Sequence, residues 1–193
     1  MKQESENVER KTINEVVSVF SSFKDKSPVN TTIEHVIEMI RSNEYRAIIN
    51  KLKQCTRHDE VLAIKCSLPV VTFAGVFADG RLNTQLKSLS GCMQIDFDDL
   101  PNVEIAKQAI VSDSHTLACF ISPSGKGLKV IVRIDEFSKL LRTHLRTYYD
   151  SMYALKFDSQ CSDINHLCFM SYDKDAYYNE NAEIFITQSF IKL

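Results

Sequence analysis

Between residues 92 and 172 the apolar spacing changes period in a fixed order, and that order leaves few folds open. Cys92 to Asp98 alternates apolar and polar positions, the period of a strand. Pro101 suits a first helical turn, and Val103, Ile105, Ala106 and Ile110 then give a helix one apolar face. His115 to Ile121 and Leu128 to Ile134 are β-rich, with the Ser122 to Gly127 turn between them. Glu136 to about Leu155 carries Phe137, Leu141, Leu145, Tyr148 and Met152 at helical spacing, and Leu167 to Tyr172 is a short apolar run. The order β-α-β-β-α-β is that of an RRM-like or ferredoxin-like sheet, so the expected class is α/β in the α+β sense.

A helix-rich α/β extension precedes this core. Val16 to Phe23 reads as a strand, and Thr31 with Glu34 has the spacing of a capping box ahead of Ile33, Val36, Ile37 and Ile40. Further helices are expected around Tyr45 to Leu52 and Asp59 to Cys66. Val70 to Phe77 is then β-rich, and Ala182 to Thr187 suits an edge strand. Residues 1–12 read as a polar tail and 13–193 as one domain, with a unit at 13–91 and a core at 92–187.

Bulk chemistry narrows the partners less. The net charge of −2 gives nucleic-acid binding no support, though a local basic strip can sit on an acidic chain. None of the six cysteines forms a C-x-x-C pair, which argues against zinc and for reduced core thiols. The polar start lacks an apolar signal region, and no run reaches membrane-spanning length, so a cytoplasmic protein without a membrane partner is expected.

Strand alternation also sorts the polar side chains. Gln94, Asp96 and Asp98 share one face of the first core strand, and Lys129 with Arg133 shares one face of the third. With helices on one side, the other side is expected to be an open sheet. In ferredoxin-like order the first strand lies between the third and fourth. Asp96 and Asp98 would then meet the Ser122–Lys129 segment, with Asp158 and Asp163 arriving ahead of the fourth strand. Paired carboxylates suit a hard divalent ion, Mg²⁺ or Mn²⁺, although D-x-D equally describes a solvated strand end. Ser124, Gly125, Gly127 and Lys129 suit the phosphates of a nucleotide, since glycines admit close backbone approach and lysine supplies charge. As a lone segment this is also an ordinary hairpin turn.

Ile95-Asp96-Phe97-Asp98, Ser124-Gly125-Lys126-Gly127-Leu128-Lys129 and Phe157-Asp158 together resemble the three motifs of the archaeo-eukaryotic primase superfamily. A nearer resemblance is to the VirE N-terminal domain family of bacterial mobile-element proteins. Leu68 to Phe77, Ser90-Gly91 into Asp96, and Ser162 to Asp173 carry it. The resemblance implies a primase-type nucleotidyltransferase acting with Mg²⁺ or Mn²⁺ on nucleoside triphosphates and single-stranded DNA, beside a helicase-like ATPase. Asp96, Asp98 and Asp158 would hold metal and act in catalysis, while Ser124, Gly125, Gly127, Lys129 and His166 would bind nucleotide. Lys129 stands where that superfamily mostly has histidine, and His166 where a basic residue is expected. A primase-derived nucleic-acid-binding module without catalysis is the alternative, and a metal-dependent nuclease a third.

Overall fold

The computed structural model describes residues 15–157 and 163–187. It is a mixed α+β fold with five α-helices and three sheets among the described residues. The first sheet takes β1 (Val16–Phe20), β2 (Val29–Thr32) and β3 (Val70–Thr72). A two-stranded ribbon pairs β4 (Gly75–Phe77) with β5 (Leu86–Leu89). The second large sheet takes β6 (Cys92–Phe97), β7 (Thr116–Ile121) and β8 (Leu128–Ile134). Later in the chain come β9 (Cys168–Phe169), β10 (Tyr177–Tyr178) and β11 (Ile184–Phe185). No helix among the described residues is long and apolar enough to cross a membrane.

Three helices link β2 to β3: α1 (Ile33–Arg41), α2 (Arg46–Gln54) and α3 (His58–Ser67). In α1 the cap is Thr32, whose hydroxyl accepts from the His35 amide, rather than Thr31. Ile33, Val36, Ile37 and Ile40 form its buried face. The core helices are α4 (Val103–Val111), capped by Asn102, and α5 (Lys139–Tyr153), capped by Ser138. Pro101 therefore precedes the cap of α4 instead of opening its first turn. Both caps accept a backbone N–H three residues on, which satisfies a donor the helix itself cannot.

The expected strand order holds only in part. Strand β8 is central, with β6 antiparallel on one edge and β7 antiparallel on the other. Outside β7 lies β10, while β11 runs parallel to the end of β8. The first core strand therefore does not lie between the third and fourth. The intended fourth strand, β9, is short and pairs with β3, giving the first sheet the order β2-β1-β3-β9. The reason is apolar burial: Cys168 and Met170 join Val71 and Phe73 in the core under the first sheet.

That same core corrects the expectation of an open face. Met93, Ile95, Phe97, Leu128, Val130 and Val132 pack beneath α4 and α5, as the alternation requires. On the opposite face Cys92, Ala118, Phe120 and Ile131 pack against Val17, Ile33, Val36 and Val71. The N-terminal unit has its own apolar residues to bury, and the second face of the core sheet is where it buries them. Both faces are covered, and Gln94 and Asp96 are sealed between layers.

Candidate functional site

Asp96 and Lys129 stand directly opposite each other on β6 and β8. Cross-strand partners project to the same face, so their meeting follows from register. The Lys129 Nζ donates to Asp96 Oδ2 at 2.5 Å. Asp96 is 2% exposed, and a carboxylate so buried needs donors on its lone pairs. His166 Nε2 lies 3.2 Å from the same Oδ2, and Gln94 Nε2 donates to Oδ1 at 2.7 Å. Burial opposes ionisation of Asp96. The hydrogen bond from His166 and the charge and hydrogen bond of Lys129 outweigh it, and the carboxyl is held down to about 2. Burial likewise works against the Lys129 ammonium, but the Asp96 charge prevails and its pKa is raised.

Asp98 has a different environment. Strand β6 ends at Phe97, and Asp99 turns the chain with φ 50. The Asp98 side chain is 57% exposed, and its Oδ1 lies 4.0 Å from Lys129 Nζ. The two carboxylates thus flank one ammonium, one from inside the sheet and one from the surface.

The Ser122–Gly127 turn docks on this strand end. Ser122 and Gly127 close it through an amide-to-carbonyl bond of 2.9 Å, and the Leu100 amide donates to Lys126. Gly125 adopts φ +76, a conformation that glycine takes without strain. A Cβ on Gly127 would collide with the Phe97 carbonyl, so only glycine lets the turn lie this close to β6. The Ser122 and Ser124 hydroxyls are 3.1 Å apart. They line a small open cleft of about 70 Å³ whose wall also includes Asp98, Lys129, Leu167 and Phe169.

Of the residues singled out from sequence, Asp96, Asp98, Ser124, Gly125, Gly127, Lys129 and His166 come together at this strand end. Asp158 lies outside the described residues. Its neighbour Phe157 is buried edge-on to Phe97 at 6.5 Å between ring centroids. Arg133 is drawn away from the site: it pairs with Glu15 at 2.6 Å and donates to the Ala182 and Glu180 carbonyls. Asp163 accepts the His166 amide in the turn that presents the histidine.

Two basic residues enter from the N-terminal unit without any warning in the sequence. Lys65 of α3 lines the cleft, and the Lys53 side chain of α2 lies across Gly125. Both are ordinary helix lysines when read along the chain, 64 and 76 residues from Lys129. Gln94 is also a site residue that alternation placed on the right face without showing its role.

Among the described residues, no three His, Cys, Asp or Glu side chains stand together so as to hold a metal ion. Both oxygens of Asp96 already accept hydrogen bonds, and the Lys129 ammonium lies 2.5 Å from Asp96 Oδ2 and 4.0 Å from Asp98 Oδ1. These residues do not fit a divalent cation as they stand.

The model of the BT4734-like, N-terminal domain family matches residues 63–178, more than half of the chain, and includes all of these site residues except Lys53. No curated protein and no solved structure gives a significant match.

Proposed function

For a chain that belongs to the BT4734-like N-terminal domain family, we propose the role of a primase-derived module that binds phosphate-bearing ligands, namely nucleoside triphosphates and single-stranded DNA. The observation that carries this reading is the convergence of the Ser122–Gly127 turn with Lys65 and Lys53 of the N-terminal unit at one strand end. This is a local cationic rim on a chain whose net charge is −2. Hydroxyls supply hydrogen bonds to phosphate oxygens, and the lysines supply charge without demanding a base sequence. The ligand class follows from this chemistry and from the resemblance of the motifs to primases.

The test is equilibrium binding of a fluorescent single-stranded oligonucleotide and of a nucleoside triphosphate to the parent chain and to Lys65→Ala. Losing one charge-assisted contact costs about 1.5–3 kcal/mol, so binding weakens roughly 10- to 150-fold. Oligonucleotide affinity should also fall steeply with salt. Absence of binding by the parent at millimolar ligand and low salt would remove the proposal.

A second reading is a metal-dependent nucleotidyltransferase using Asp96, Asp98 and Asp158 with Mg²⁺ or Mn²⁺, beside a helicase-like ATPase. The exposed Asp98 carboxylate next to the cleft favours it. Incorporation of labelled nucleotide on a single-stranded template with Mn²⁺ present would establish that reading over the first.

A further inference from the structure

The arrangement around Asp96 is the reverse of what a divalent ion requires. Mg²⁺ and Mn²⁺ take lone pairs from carboxylates and keep several waters around them. Here the lone pairs of Asp96 already serve three donors: Gln94 at 2.7 Å on Oδ1, with Lys129 at 2.5 Å and His166 at 3.2 Å on Oδ2. The second carboxylate, Asp98, lies 4.0 Å from the same ammonium. A cation bound to Asp96 would have to compete with the Lys129 ammonium for Oδ2. Nor can the lysine swing easily into solvent, because its side chain is 13% exposed and its stem is fixed by the β8 register opposite Asp96.

We propose that Lys129 is the resident cation of this site, holding the carboxylate pair closed to Mg²⁺ and Mn²⁺, so that the cleft takes its phosphate ligand without metal. The first half of this inference stands on geometry alone. The second half rests on the phosphate-binding reading above. Replacing the lysine by an uncharged side chain of similar length removes the ammonium, leaves only the longer His166 contact on Asp96 Oδ2, and opens the pair to a cation. Asp96→Asn then removes that site again, since a neutral amide is a poor ligand for a hard ion.

The experiment titrates Mn²⁺ into the full chain, following heat and the electron paramagnetic resonance of free Mn²⁺. Parent, Lys129→Met and Lys129→Met/Asp96→Asn are compared. The parent is expected to show no saturable site up to millimolar Mn²⁺. Lys129→Met gains one, roughly tenfold tighter or more, and the double variant loses it. Should Lys129→Met fail to fold, Lys129→His keeps a polar group in the layer while removing the fixed charge, and the same gain is expected.

A saturable Mn²⁺ site in the parent that Asp96→Asn abolishes overturns the proposal. So does the absence of any gain in a folded Lys129 variant. A separate arm measures triphosphate binding to the parent in chelator and in Mn²⁺. Equal affinities support metal-independent binding, and a strict Mn²⁺ requirement overturns it. No triphosphate binding under either condition, with the Mn²⁺ results as expected, removes the phosphate reading and leaves the resident cation standing.

Discussion

Replacing Lys107 by methionine should destabilise the protein more than any comparable surface change. Lys107 lies on α4, and its Nζ donates to Asp173 Oδ2 at 2.6 Å and to the Asp175 carbonyl at 2.9 Å. The two side chains are 9% and 4% exposed. Breaking a buried pair by removing one partner costs about 3–5 kcal/mol, because the remaining charge is stranded. Asp173 would keep two donors, the Ile121 amide at 2.9 Å and the Asp175 amide at 3.1 Å. The lower end, about 3 kcal/mol, is therefore expected, or roughly 6–12 °C in Tm for a domain of this size. Lys107→Met/Asp173→Asn removes the stranded charge and should be more stable than Lys107→Met alone, a result that no list of lost contacts would give. Urea unfolding followed by far-ultraviolet circular dichroism measures the parent, Lys107→Met, Asp173→Asn and the double variant. A loss below about 1 kcal/mol in Lys107→Met, or a double variant whose loss is the sum of the singles, would refute the reasoning.

The Asp96 carboxyl, held at about 2 against 3.8, should make stability depend on acid pH. Its folded-state pKa is depressed, so its contribution is present above about pH 4 and lost as pH falls through about 2, amounting to about 2 kcal/mol. Urea midpoints over that window should fall more steeply for the parent than for Asp96→Asn, and parallel profiles would deny the effect. At Gly127 an added methyl meets the Phe97 backbone, which cannot move aside as a side chain could. Gly127→Ala should cost about 1–3 kcal/mol by differential scanning calorimetry and displace the Ser122–Gly127 turn from Asp98. An unchanged Tm would show that the turn is not held against β6.

Local chemistry in the sequence determined most of the elements. Apolar spacing placed α1, α4 and α5, and alternation put Asp96 and Lys129 on the same sheet face, because side-chain direction depends only on position along a strand. The antiparallel β7–β8 hairpin followed from a glycine-rich turn between two β-rich runs, and its turn brought Ser124 and Lys129 beside Asp98. What the chain could not declare was which surfaces would cover one another. That Cys168 and Met170 would draw the last core segment onto β3, and that Val17, Ile33 and Val36 would close over the second face of the core sheet, depended on competition among apolar surfaces far apart in sequence. The same packing turned Asp96 from an expected open-face ligand into a buried carboxylate. It also made Lys107 and Asp173, with 65 residues between them, a closed ion pair. Burial is a property of the assembled layers, and the state of a charged group follows from its burial and its partners. Tertiary structure therefore decided the electrostatics of this site, while sequence decided which residues were there to be charged.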